Sequence, residues 1–329
     1  MKRNVTLDIT KGIAILLVII GHCGCIPYWP VRHIIFTFHM PLFFIVSGYL
    51  YKKKEVKEAL RRDIIHLGIP YILTCLAILF YYLLYFIITK SHNIEPLQRY
   101  AIASIWGSGT IHKCKYLADL PSIGAIWFLP ALLVCKNVFN VLPSRGRLLI
   151  SSLLFVIATI VGRYLIFIPF SVLSGLSAII FYAIGDYLKS VQRISFIYWI
   201  IGLACWFASI KYSHIYLVQP QLDLYFIDVV GATCASILVY LLSKQILRVA
   251  FLSKFLQSIG DKTLYVLCFH LVDLDCSFSE RLNVLNISIL TVALRILLPI
   301  MGAFCLSYCL AKINENGSVS KLSITKRFL

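Results

Sequence analysis

The chain is predicted to be an all-α integral membrane protein, a bundle of about ten transmembrane helices with no soluble domain. Two observations carry that expectation. Of 329 residues, 60% are hydrophobic and only 14% are charged, and the mean hydropathy is +0.87, well above that of a soluble globular domain. The apolar residues also gather into runs long enough to cross a bilayer. Hydrocarbon offers no hydrogen-bond partners, so such runs must become helices or closed barrel strands. Their length and unbroken apolarity select helices.

The spans are expected near residues 8–27, 32–51, 64–89, 124–142, 148–168, 171–188, 193–211, 224–243, 262–278 and 284–311. The net charge of +17 suggests nucleic acid at first sight, but its distribution argues for a membrane. With both termini placed in the cytoplasm, about twenty Lys and Arg fall inside and about eight outside, the positive-inside asymmetry. The densest inner cluster is Lys52, Lys53, Lys54, Lys57, Arg61 and Arg62. No nucleic-acid partner is expected; membrane lipid is. Residues 1–312 are read as one transmembrane domain and 313–329 as a basic cytoplasmic tail. The eleven cysteines are scattered, without a CxxC pair or a His/Cys array of zinc spacing, so neither a metal nor a disulfide framework is expected. No small-x-small cleavage site follows the first apolar run, which is therefore read as retained.

The first span holds the most informative pattern. Lys11 and His22 bracket ten residues with no other ionisable side chain. Eleven helical positions turn through about 1100° and rise about 16.5 Å, so both side chains fall on nearly one line along one face. Ionisable groups at such depths are costly and mark function. Asp8, three residues before Lys11, is placed to pair with it or to favour the helix start. In the second span, Pro41 predicts a kink beside His39, with His33 nearer the outer end. Packing is the ordinary role for such histidines, and close helix contact the ordinary role for Ser47 and Gly48. Trp127 reads as an aromatic-belt residue at a span end. Arg295, deep in the last span, is expected to pair with Asp228. The segment 90–123, with Arg99, Tyr100, Trp106, Lys113, Lys115, Tyr116 and Asp119, reads as an outer lid, an acceptor platform or an interfacial stretch.

Taken in order, Lys11 to His22, Phe38-His39-Met40-Pro41-Leu42-Phe43-Phe44, Ser47-Gly48, Arg61-Arg62 with Pro70-Tyr71, Trp127-Phe128-Leu129, and Ile259-Gly260-Asp261 through Phe269-His270 resemble the membrane acyltransferase-3 family. Members are multi-span O-acyltransferases of cell-surface glycans. The family often has arginine where this chain has Lys11, which keeps the charge but not the bidentate geometry. The resemblance implies that acetyl-CoA is the acyl donor and a glycan or lipid-linked sugar the acceptor, at a bacterial cytoplasmic membrane. His22 would act as general base on a sugar hydroxyl. Lys11, Arg61 and Arg62 would meet the phosphate or pantetheine part of the donor. Asp8, His39, Ser47, Trp127 and His270 would support the site or bind substrate. Without a separate transfer domain after the last span, direct acylation by the bundle is the expected route. The alternative is a transporter or flippase of a lipid-linked sugar, which inverted repeats would favour; none is visible in the sequence.

Overall fold

A computed structural model describes residues 4–90, 93–111, 121–164, 168–282 and 288–315. Lys113, Lys115, Tyr116 and Asp119 of the outer segment, and the tail after residue 315, lie outside these. In chain order the α-helices are α1 (Val5–Gly21), α2 (His33–Phe36), α3 (His39–Tyr49), α4 (Val56–Asp63), α5 (Ile69–Thr89), α6 (Glu95–Trp106), α7 (Phe128–Val141), α8 (Arg147–Tyr164), α9 (Val172–Leu188), α10 (Phe196–Tyr212), α11 (Phe226–Ile246), α12 (Ala250–Asp261), α13 (Thr263–Cys276), α14 (Phe278–Leu282) and α15 (Ser288–Glu315). Among the described residues the only sheet is a two-stranded antiparallel ribbon, β1 (Ile215–Tyr216) with β2 (Gln221–Leu222).

The helical expectation stands, and the boundaries of several spans differ from those expected. Among the described residues, five helical stretches are long and apolar enough to cross a membrane: Trp29–Tyr49, Val56–Thr89, Gly124–Val141, Phe226–Ile246 and Ser288–Ile313. Val172–Leu188 and Phe196–Tyr212 are apolar but shorter. The third span begins eight residues earlier than expected, at Val56, so Arg61 and Arg62 lie on the helix rather than before it. The ninth matches α13, which a turn at Asp261–Thr263 separates from the 12-residue α12 before it.

Apolar side chains line the exterior as well as the core, and several ionisable groups are buried. Ile72, Leu73, Leu76, Phe80, Ile87 and Ile88 of α5 face outward, whereas Asp8, Thr10, His33, His39, Asp63, Asp228, His270, Asp273 and Arg295 are buried. An apolar exterior around polar interior groups is what a hydrocarbon solvent demands.

The chain forms two compact units, residues 1–26 with 243–329 and residues 27–242. In the first, α1 packs on α12 and α13 on α15. Asn4 caps α1, its side chain accepting from the Leu7 amide at 3.3 Å. Gly12 and Gly260 let α1 and α12 touch backbone to backbone. A β-carbon on Gly260 would overlap the Asp8 carbonyl oxygen, and one on Gly12 the Leu256 carbonyl oxygen.

In the second unit, α9 is the centre, packed by α3, α7 and α8. Gly48 and Gly185 make the corresponding close crossing of α3 and α9. Ser47-Gly48 thus serves close packing through its glycine. The kink expected at Pro41 appears as a break: α2 ends at Phe36, Phe38 leaves helical geometry at φ −144°, and α3 restarts at His39. Pro41 then lies in a first turn, where a missing N–H is tolerated. The Trp206 indole donates to the Thr37 hydroxyl oxygen at 3.0 Å across this break.

Candidate active site

In the first unit α1 runs without interruption from Val5 to Gly21, and His22 continues it as C-cap with φ −93° and ψ 0°. The three-turn separation between Lys11 and His22 is therefore kept. Lys11 Nζ lies 2.8 Å from Asp8 Oδ1, with Asp8 buried, so the i,i+3 pair read from sequence forms. Asn4, not Asp8, provides the helix cap.

At the other end of α1, His22 Nδ1 is 2.8 Å from the Val18 carbonyl oxygen. A carbonyl only accepts, so Nδ1 carries a proton. In the neutral ring the lone pair then sits on Nε2. The His270 ring, from α13, meets His22 edge to face at a centroid separation of 5.8 Å. His270 is completely buried, and among the described residues neither ring nitrogen has a hydrogen-bond partner.

Arg295 from α15 completes the cluster. Its Nη1 donates to the His22 carbonyl oxygen at 3.0 Å, and Nη2 is bonded to Glu280 Oε1. The guanidinium thus takes the place of the next helical N–H at the carbonyl end of α1, where a cation also suits the helix dipole. Its Nε is buried without a partner. Glu280 is fixed by the turn between α13 and α14. Asp273 accepts the Ser279 amide at 2.7 Å and the Ser279 hydroxyl at 2.9 Å.

This corrects the expected Arg295–Asp228 ion pair. Asp228, in the second unit, accepts from Ser209 and Ser213 hydroxyls at 2.7 Å each and from the Leu224 amide at 2.9 Å. Three neutral donors satisfy its carboxylate, leaving Arg295 to Glu280. Sequence gives no sign of this role for Glu280, which sits beside Arg281 in a short link between two apolar spans and has no periodic signal.

The remaining candidates belong to the second unit. His39 is buried, with Nδ1 3.0 Å from the Ile35 carbonyl oxygen, and His33 Nε2 is 2.8 Å from that of Ile210. Trp127 is also buried, at 6% exposure, and packs where Gly109 leaves room; it is not a belt residue. Ser47 and Arg62 border a cavity of about 210 Å³ with Lys52, Lys54, Lys136 and Asn140. Arg61 is exposed and is not among its lining. On the wall of the same cavity Asp63 is ion-paired to Lys136 and accepts from Asn137 Nδ2 at 3.3 Å. Asp63→Ala would leave Lys136 largely buried and unpaired. Thermal unfolding in detergent is expected to register a loss near the lower end of about 3–5 kcal/mol, with part regained in Asp63→Ala/Lys136→Met.

A second cavity of about 310 Å³ is bordered by Ser108, Thr159, Arg163, Ser174, Gln219 and Gln221, among others. Among the described residues no group of three or more His, Cys, Asp or Glu has metal-binding geometry.

Comparison with known proteins settles the family. A family model described as an acyltransferase domain matches residues 4–312. This chain belongs to the membrane acyltransferase-3 family. Among curated relatives of this acyltransferase, the nodulation protein NolL of Mesorhizobium japonicum is 30% identical over 162 residues, 45% of this chain and 38% of the relative. NolL of Sinorhizobium fredii is 34% identical over 87 residues, 22% of this chain and 24% of the relative. The acyltransferase therefore spans well under half the length of these relatives in either match. No solved structure matches it.

Proposed function

We propose that this membrane acyltransferase transfers an acetyl group from acetyl-CoA to a hydroxyl of a cell-surface or lipid-linked glycan, with His22 as general base. The observation that carries the reading is the 2.8 Å contact of His22 Nδ1 with the Val18 carbonyl, which leaves Nε2 as the proton acceptor. A sugar hydroxyl is a poor nucleophile at neutral pH and needs such a base.

The two cavities support the choice of substrates. Lys52 and Arg62, with Lys54 paired to Glu58 and Lys136 to Asp63, leave a net positive wall that suits a phosphorylated donor. Among the described residues, hydroxyls and amides with Arg163 as the one charge on the wall of the other cavity offer the polar lining that suits a sugar. In this reading both termini are cytoplasmic, Lys11 lies toward the donor's phosphate or pantetheine part, and Arg61 adds charge at the cytoplasmic mouth. His39, Ser47 and Trp127 are assigned to substrate binding or support.

Purified protein incubated with radiolabelled acetyl-CoA and the glycan fraction of its host membranes is expected to place label on glycan or lipid-linked sugar. Label remaining wholly on CoA with a verified acceptor present would overturn the reading and favour a transporter.

A further inference from the structure

The cluster around His22 contains two buried groups whose hydrogen-bonding capacity is unused. Both nitrogens of His270 and the Nε of Arg295 lack partners, although the residues are 0% and 3% exposed. Leaving such groups unpaired in a hydrocarbon-surrounded interior is unfavourable, and a fold that needed only packing would place apolar side chains there. Arg295 is moreover held from two sides, by Glu280 and by the carbonyl of His22 itself. Its position relative to His22 is thus set before any substrate arrives. Asp273 and Ser279 fix the turn that carries Glu280.

We propose that the Nε–H of Arg295 and a ring N–H of His270 bind the thioester oxygen as it becomes negatively charged during acyl transfer at His22. The proposal rests on the reading of His22 as the base. The acceptor hydroxyl oxygen attacks the thioester carbon while His22 Nε2 takes the hydroxyl proton. The carbonyl π pair moves onto oxygen, and that oxyanion is held by the two donors. Collapse re-forms the carbonyl and breaks the carbon–sulfur bond, and the departing sulfur receives the electron pair and the proton from His22. An ester and free CoA result, with no further reactant. The second nitrogen of His270 accepts from a substrate hydroxyl or amide. Glu280 and Asp273 are positioning residues, acting through Arg295. Donors fixed in advance in a water-poor site contribute most where charge develops.

His270→Leu separates this role from packing. Removing an unpaired buried imidazole in favour of an apolar side chain of similar volume leaves stability equal or raises it. The loss of an oxyanion donor lowers kcat by about 10²–10³-fold. The measurement is the initial rate of transfer from radiolabelled acetyl-CoA to the host glycan fraction, alongside a melting curve of the full chain in detergent. The expected result is an unchanged or higher melting temperature, kcat at least about 100-fold lower and KM for acetyl-CoA within about threefold. Arg295→Lys, which keeps the charge but puts a methylene where the Nε–H stood, is expected to lower kcat similarly. A kcat within about threefold of the parent in His270→Leu would overturn the proposal. So would a lowered melting temperature accompanying the lost activity, which would make His270 a packing residue. His22→Ala run in parallel keeps the two ideas apart. Retained transfer there removes the base assignment, whereas an inactive His22→Ala beside a fully active His270→Leu removes only the oxyanion pair.

Discussion

His22→Ala is expected to lower acyl transfer by about 10²–10⁴-fold while leaving the amount of folded protein unchanged. The imidazole contacts the Val18 carbonyl and meets His270 by its ring edge, and it is only partly buried. Arg295 holds the backbone carbonyl of His22, not the imidazole, so alanine leaves that clamp in place. His270 does not stand in for it, because its neighbour's removal changes neither its depth nor its distance from the end of α1. Label transfer measured per folded molecule checks the prediction. Normal transfer by the alanine variant would refute the role of His22.

Gly260→Ala is expected to have the largest effect on stability. The added methyl would overlap the carbonyl oxygen of Asp8, a backbone atom that cannot rotate away. α1 and α12 must then separate along the seam that also contains Gly12, at a cost of about 3 kcal/mol or more, the upper end for overpacking. Gly24→Ala is the control, since a β-carbon there meets nothing within 4 Å. Detergent melting curves should fall sharply for the first and stay unchanged for the second. Equal melting for both would mean that α1 and α12 do not pack as described.

Features governed by local geometry were legible in the sequence. The Lys11–His22 alignment follows from helical pitch, and the Asp8–Lys11 pair from i,i+3 spacing. The Pro41 kink follows from a missing N–H, although the break falls at Thr37–Phe38. Arg61 and Arg62 part company for an equally local reason that the expectation overlooked: neighbours on a helix point about 100° apart, so Arg62 borders the cavity and Arg61 does not. What sequence could not show was partner choice over long range. Asp228 looked in need of a cation because the hydroxyls of Ser209 and Ser213 carry no charge to betray them. Trp127 at a span end reads as an interfacial anchor, and only Gly109, eighteen residues upstream, reveals the space it fills.

The first unit joins the opening 26 residues to a stretch that begins at residue 243. During synthesis, α1 emerges long before α12 exists. At translation rates of about 5–20 residues per second, roughly 10–50 s pass before the helix that receives Asp8 and Gly12 is made. Throughout that interval a helix carrying Asp8, Lys11 and His22 must wait in or beside the bilayer without its final neighbours. The chain's exposure to membrane quality control is thus set by connectivity, and substitutions on α12 that slow its docking lengthen that exposure.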